Sequence, residues 1–276
     1  MTERPRDRVI VFGVDGVRYD TLLAARTPAI DTIAAEGFLA PVRVDDVAQP
    51  ISGPGWTTVA TGVPADRHLV YGNDLTGHRI HEHPDFLTRA RTLLPGARTY
   101  AAGAWPQLVH ETHGGPIFLG GGFLPGQAED WNVLDGAVAE HACEALGGGD
   151  VAAAFVYFGL PDTIAHAEGP TPNYTAAVTT SDERIGRVLA AIRARPGFAD
   201  ERWTVIVTTD HGHGEDGRHD GDSDAERTAW IAATGPHVPR RAPSGLRQVD
   251  VHAHVLRALG ITPRPEWALP GRPFTR

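Results

Sequence analysis

The chain has 276 residues, of which 41% are hydrophobic and 21% charged, as in ordinary globular proteins. Its formal net charge of −9 argues against a broad nucleic-acid or anionic-membrane surface, although a local cationic site could still bind phosphate. The single cysteine, Cys143, excludes a disulfide framework, and neither a signal-peptide core nor a run of roughly 18 apolar residues is present. We therefore expect a soluble, cytoplasmic protein.

Apolar runs of strand length alternate with segments of helical period along the chain. Residues 8–14 predict a strand buried on both faces, and residues 27–37 predict a helix with Thr27 as N-cap and Gly37 as its stop. The later elements are strands at 152–158, 203–209 and 228–235, a helix between Tyr174 and Ile192, and a closing helix at 248–260. This alternation predicts an α/β fold with a mostly parallel sheet covered on both faces. Without repeats or linkers, residues 1–276 read as a single domain.

Residues 75–130 are rich in Gly, Pro and His, and they predict only loops with short elements. We expect this segment to include the variable part of a substrate pocket.

Three of the predicted strands run directly into acidic motifs. Asp15 follows the first, Asp162 and His166 follow another, and Asp210 and His211 follow a third. In a parallel sheet these strand ends share one edge, where α/β proteins bind ligands. A helix N-cap explains any one of these Asp residues equally well, but it explains the two Asp-plus-His pairs poorly. Mixed Asp and His ligands suit zinc or another borderline divalent ion.

The segment 49–64, "QPISGPGWTTVATGVP", offers a nucleophile. A short helix is expected from Pro54 to Thr61, and Ser52 would precede it at a helix end that favours anions. Ser52 is then either a helix cap or a metal-activated nucleophile, and both roles can hold. Downstream, Asn73 is either a donor to a phosphoryl oxygen or a turn residue.

The five motifs together resemble one family. "VFGVDG", the Ser52 segment, "PDTIAH", "DHG" and "HDG" follow one another as in the alkaline phosphatase superfamily, most closely its type I phosphodiesterase/nucleotide pyrophosphatase branch. The resemblance covers roughly Val9 to Gly260. It implies an alkaline-phosphatase-like three-layer sandwich, and the short chain leaves no room for a large cap domain.

The resemblance also implies two divalent metal ions, usually zinc, with manganese as the alternative. Carried over by motif, one ion would be held by Asp15, Asp210, His211 and the Ser52 oxygen, and the other by Asp162, His166 and His219. His213 has no counterpart that we can assign, and we expect it beside the ligands or in a solvated loop.

The implied activity is hydrolysis of a small phosphoric ester by Ser52 through a phosphoserine, with Asn73 and the Gly53 amide stabilising the equatorial oxygens. A diester or nucleotide pyrophosphate is favoured, because monoesterases need extra cations, for which Arg18 and Arg67 are the candidates. The sequence departs from the diesterase branch in having Ser instead of the usual Thr as nucleophile.

Other activities stay open on the sequence. Trp56 stands where sulfatases have an Arg, which argues against a sulfatase. A phosphomonoesterase or a phosphonate hydrolase of the same superfamily is the alternative, and a non-catalytic metal- and ligand-binding protein is the alternative of another class. No nucleic-acid polymer or membrane partner is expected.

Overall fold

Six strands form one sheet in the computed structural model, which describes residues 6–275. They are β1 (Arg6–Val14), β2 (Phe38–Arg43), β3 (Arg98–Ala102), β4 (Val151–Phe158), β5 (Glu201–Thr208) and β6 (Thr228–Thr234). Their order is β2-β6-β5-β1-β4-β3, and β6 pairs antiparallel with both of its neighbours while the other described pairs are parallel. The mostly parallel α/β sheet is therefore confirmed. Residues 1–5, part of the segment in which no signal peptide is predicted, and Arg276 lie outside the described residues.

Helices cover both faces of this sheet, which confirms the three-layer arrangement. The helices are α1 (Tyr19–Ala24), α2 (Pro28–Glu36), α3 (Ser52–Thr61), α4 (Ala65–His68), α5 (Phe86–Leu93), α6 (Pro106–Val109), α7 (Trp131–Gly148), α8 (Leu160–Glu168), α9 (Pro172–Ala194), α10 (Asp224–Arg227) and α11 (Val249–Ala258). Alternate residues of β1 point to opposite faces, so Val11 packs with α3, α5 and α11, whereas Phe12 packs with α2, α7 and α9. A strand segment buried on both sides has to be apolar, as β1 is from Val9 to Val14.

Several predicted boundaries agree with the structure and others are wrong. Helix α2 begins after Thr27 and ends at Gly37, as predicted. Helix α3 begins at Ser52, two residues earlier than expected, and ends at Gly62, whose positive φ of 74° suits glycine. The segment 75–130 consists of loops with the short elements α5, β3 and α6, as predicted. Strand β2, at the other edge, was not predicted from the sequence.

The order of the strands places the predicted site. Strand β1 lies between β5 and β4 and runs parallel to both. The carboxyl ends of these three strands therefore meet at the same sheet edge, and the Asp15 amide donates to the Phe158 carbonyl at 2.9 Å. This adjacency brings the three acidic motifs together.

Helix α8, which carries Asp162 and His166, is held at its N-terminus by a residue of another helix. Asp135 of α7 is fully buried and accepts hydrogen bonds from the backbone amides of Gly159 (3.2 Å) and Leu160 (2.8 Å). A carboxylate in this position satisfies free amides and complements the positive helix end. Burial raises the pKa of Asp135 to about 7.

We expect this carboxyl group to contribute a pH dependence to folding. In the unfolded chain its pKa is 3.8, so between about pH 4 and pH 7 the folded protein holds the extra proton and loses stability as pH rises. Asp135→Asn should remove about 1–2 kcal/mol of the fall in unfolding free energy between pH 5 and pH 7. Urea denaturation with chelator present measures this. Asp130→Asn, at the exposed N-cap of α7, is the control. If the unfolding free energy of Asp135→Asn falls with pH as steeply as that of the native protein, Asp135 is not the group responsible.

Candidate functional site

Side chains from three strand ends and one helix start converge at the carboxyl edge of the sheet. Asp15 follows β1, Asp162 lies in the first turn of α8 after β4, and Asp210 and His211 follow β5. Ser52, the first residue of α3, faces the same point from the side of the sheet that α3 covers. All of these residues except Asp162 are buried, so the site is set into the fold.

The first group consists of the residues predicted to hold one ion. Ligand-type atoms of Asp15, Asp210 and His211 lie within 4.8 Å of one another. The His211 Nε2 atom is 3.5 Å from Asp15 Oδ1 and 3.3 Å from Asp210 Oδ2. The Ser52 Oγ atom lies 3.5 Å from Asp15 Oδ1 and 3.4 Å from His211 Nε2. The four side chains are thus together, and their role as ligands stays a prediction.

The second group consists of Asp162, His166 and His219, whose ligand-type atoms also lie within 4.8 Å of one another. Helix α8 places Asp162 and His166 on one face, with Oδ1 and Nε2 separated by 3.5 Å. His219 comes from the loop between β5 and α10, and its Nε2 atom is 3.0 Å from that of His166. His166 is the exposed member, so the site opens to solvent on this side.

Asp15 is oriented by two aromatic donors. Its Oδ2 atom accepts hydrogen bonds from Trp56 Nε1 at 2.8 Å and from the Tyr157 hydroxyl at 2.7 Å. Only Oδ1 is left to face Ser52 and His211. On the sequence, Trp56 argues only against a sulfatase, and Tyr157 is not predicted to belong to the site. The sequence did contain one indication of this role: Tyr157 lies inside a strand predicted to be buried on both faces, where a hydroxyl needs a hydrogen-bond partner.

The three carboxyl groups raise one another's cost of ionisation. Burial, reinforced by nearby Asp162, raises the pKa of Asp15 well above its usual range. Burial and the neighbouring carboxylates do the same to the pKa of Asp210. Burial also opposes ionisation of Asp162, but its contact with His213 and the nearby imidazoles outweigh it and lower the pKa of this residue. Buried like charges this close require compensating positive charge.

The residues present fit divalent metal ions. Asp162 Oδ1 and Asp210 Oδ2 are buried and lack hydrogen-bond partners. Nδ1 of His211 lies 3.0 Å from the Gly212 carbonyl, and Nδ1 of His219 lies 2.8 Å from the Pro50 carbonyl. A carbonyl only accepts, so Nδ1 carries the proton and each Nε2 presents a lone pair, as in metal-binding histidines. Burial lowers the pKa of both rings and keeps them neutral.

The predicted substrate-binding residues lie next to Ser52 but are already paired with each other. The Gly53 amide donates to Asn73 Oδ1 at 2.8 Å, so in this structure it orients the Asn73 side chain. The Asn73 amide nitrogen then remains as the candidate donor to a substrate. The turn interpretation and the donor interpretation of Asn73 are therefore compatible. The Ser52 hydroxyl makes no capping bond, which leaves the cap interpretation without support.

The structure also bears on the roles considered for Arg18, Arg67 and His213. The guanidinium of Arg18 is bound by Asp20 and Glu215, both at 2.6 Å, and that of Arg67 donates to the carbonyls of residues 267 and 268. Neither arginine is free to bind a phosphate. Of the two positions expected for His213, the structure agrees with the one beside the predicted ligands, because its side chain is completely buried and its Nε2 atom is 3.0 Å from Asp162 Oδ1.

Comparison with known proteins supports the same family. A family model described as type I phosphodiesterase/nucleotide pyrophosphatase matches residues 9–107 and 126–229. No curated protein matches the sequence. A provisionally assigned sulfatase from Bacteroides thetaiotaomicron has a TM-score of 0.77 at 16% identity, covering 98% of this chain and 74% of that one. Murine ectonucleotide pyrophosphatase/phosphodiesterase 5 has a TM-score of 0.67 at 18% identity, covering 96% and 97%. At these identities the likeness concerns the fold alone.

We expect the Tyr157 hydroxyl to control metal loading at Asp15. Its hydrogen bond lowers the pKa of a carboxyl group that burial has raised, so Tyr157→Phe should raise this pKa further. Zinc binding should then require a higher pH, and at neutral pH the affinity should fall about 10–100-fold. Competition with a chromogenic chelator across the pH range measures the shift. Tyr100→Phe is the control, because the Tyr100 hydroxyl pairs with His141 away from the site. If the zinc affinity of Tyr157→Phe depends on pH as that of the native protein does, Tyr157 does not control metal loading.

Proposed function

Because this chain belongs to the type I phosphodiesterase/nucleotide pyrophosphatase family of the alkaline phosphatase superfamily, we propose that it is a metal-dependent hydrolase of small phosphoric diesters or nucleotide pyrophosphates. One observation carries the proposal. The Ser52 hydroxyl lies at the first residue of α3, directly against Asp15 and His211 and free of a structural hydrogen bond to the helix.

Two divalent ions, zinc or manganese, are part of the proposal. One would be held by Asp15, Asp210, His211 and the Ser52 oxygen, and the other by Asp162, His166 and His219. Bound there, such ions supply Lewis-acid stabilisation of charge on the attacking and leaving oxygens. The support is the donor set itself, together with the unpaired carboxylate oxygens of Asp162 and Asp210.

The chain's own residues position the phosphoryl group. The helix dipole at the start of α3 favours an anion beside Ser52. The Ser52 oxygen forms a bond to phosphorus, the ester oxygen leaves, and the serine proton ends on the departing alcohol or phosphate. Water then cleaves the phosphoserine, which restores the Ser52 hydroxyl and releases the remaining phosphoric group. Asn73 donates to an equatorial oxygen from its amide nitrogen, with its Oδ1 held by Gly53.

A diester is preferred over a monoester because free cations are scarce at the site. A dianionic monoester needs more positive charge, and both arginines considered for that purpose are engaged elsewhere. The chain has no lysine that could replace them. Trp56 occupies the position at which sulfatases carry an Arg, and here it binds Asp15. We therefore assign phosphorus and not sulfur as the centre attacked.

The proposed partner is a small soluble phosphoester. An inactive variant of the murine phosphodiesterase was solved in complex with AMP, at 17% identity and a TM-score of 0.61 over 97% of both chains. Among residues 6–275, no helix is long and apolar enough to cross a membrane. The cytoplasmic location stays a prediction.

A substrate screen tests the reaction class. Native protein with zinc or manganese is assayed on bis(p-nitrophenyl) phosphate, ATP, p-nitrophenyl phosphate, p-nitrophenyl phenylphosphonate and p-nitrophenyl sulfate. We expect the highest kcat/KM on the diester or pyrophosphate, loss of activity with chelator, and recovery when metal is restored. A preference for the monoester, phosphonate or sulfate would redirect the assignment, and tight metal binding without turnover would favour the non-catalytic alternative.

Ser52→Ala tests the nucleophile. Closing the covalent route should lower kcat by at least about 10³-fold. The stability should change little, because the hydroxyl makes no capping bond. Substrate quenched in acid should leave phosphate on Ser52 in the native protein and none in the variant. Ser181→Ala, which removes a buried hydroxyl bonded to the Ala177 carbonyl in α9, is the matched control. Hydrolysis by Ser52→Ala at the native rate would exclude the serine mechanism.

A further inference from the structure

His213 is the one histidine of the cluster that has no role in the proposed ligand set. Its side chain is completely buried, and its Nε2 atom lies 3.0 Å from Asp162 Oδ1. Its Nδ1 atom lies 3.0 Å from the Gly217 carbonyl oxygen. Arg18 donates to the His213 carbonyl at 3.4 Å and pairs with Glu215, so the backbone on both sides of the ring is anchored.

The hydrogen bond at Nδ1 determines what Nε2 can do. The Gly217 carbonyl can only accept, so Nδ1 carries a proton, and in the neutral ring Nε2 presents a lone pair. This lone pair faces Asp162 Oδ1 at 3.0 Å, and neither atom has another hydrogen-bond partner. Two buried acceptor atoms in contact repel each other unless a proton or a metal cation lies between them. The same arrangement, with Nδ1 on a carbonyl and Nε2 towards the cluster, is present in His211 and His219.

The surrounding backbone leaves room for this pair. Gly16 has a positive φ of 61°, and a Cβ atom there would lie 2.4 Å from His213 Nε2 and 2.8 Å from Asp162 Oδ1. Any side chain at Gly16 would therefore displace the imidazole or the carboxylate. His213 also shares with Asp162 and His211 a set of ligand-type atoms that all lie within 4.8 Å of one another. The position is built from groups suited to a borderline divalent cation.

We propose that His213 Nε2 is an additional ligand of the divalent ion that Asp162 binds. The inference rests on the proposed function only in requiring a divalent ion at this centre. It assigns a metal-binding role to a residue that neither the sequence motifs nor the two predicted ligand sets include. Asp162 would then share its ion with a ligand from the β5–α10 loop on the buried side, as well as with His166 on the exposed side.

Nitrogen NMR tests the bond directly in the native protein. In ¹⁵N-histidine-labelled, metal-free protein, Nε2 of His213 should give the resonance of an unprotonated nitrogen. Saturation with Zn²⁺ should move that resonance to the range of metal-bound imidazole. His252 is an internal control, since it is equally buried, with Nδ1 2.7 Å from the Ala60 carbonyl and Nε2 unpaired, but it lies outside the cluster. A His213 Nε2 resonance that does not respond to saturating Zn²⁺ overturns the inference.

Variants give an independent readout. His213→Gln should weaken the binding of one Zn²⁺ ion by at least about 10-fold in a chelator competition, whereas His252→Gln should leave both affinities unchanged. Native affinity in His213→Gln overturns the inference. The hydrolysis assay on the same samples separates the two proposals. Diester turnover by a native protein whose His213 Nε2 resonance does not respond to Zn²⁺ contradicts the ligand role alone. A Zn²⁺-dependent change of that resonance without turnover contradicts the proposed function alone.

Discussion

Three carboxyl groups confined at one buried sheet edge set the conditions for the rest of the site. They meet because β1 lies between β5 and β4 and all three strands run in the same direction. In isolation, burial of Asp15, Asp210 and Asp162 together would be strongly unfavourable, and the raised pKa of the first two expresses that cost. Burial lowers the pKa of His211 and His219 and keeps these two rings neutral, so neither carries a positive charge that would offset the carboxylates of Asp15 and Asp210. The arrangement is stable as an ionised cluster only with added cations.

The side chains around this cluster follow one rule, in which the atom facing away from the centre is tied to a fixed partner. Asp15 Oδ2 accepts hydrogen bonds from Trp56 and Tyr157, and Oδ1 faces the centre. His211, His213 and His219 each donate from Nδ1 to a backbone carbonyl, which leaves Nε2 facing the centre. Asp135 acts one step further out, because it holds the start of the helix that carries Asp162 and His166. These contacts reduce the reorganisation needed when a ligand binds.

The parts of the fold that the sequence predicted are those in which burial alone decides the residue type. Strands β1, β4 and β5 are apolar on both faces and read as continuous runs, and their acidic ends indicated the site. The edge strands β2 and β3 were missed because they are only partly buried, and β2 also contains Pro41. Tyr157 was missed as a functional candidate, and His213 was given no definite role, because their contacts with Asp15 and Asp162 join distant segments. No local pattern reports such partners.

The charge balance of the centre bears on which phosphoester it suits. Under the proposed two-ion occupancy, the divalent ions exceed the carboxylates of Asp15, Asp210 and Asp162 by one positive charge. A phosphodiester carries one negative charge and would match that excess. A monoester dianion would need one more cation near Ser52, yet Arg18 is neutralised by Asp20 and Glu215 and Arg67 is bound to backbone carbonyls. Under the proposed function, the acidic partners of Arg18 would favour a diester, because they neutralise a guanidinium that could have compensated a second phosphate charge.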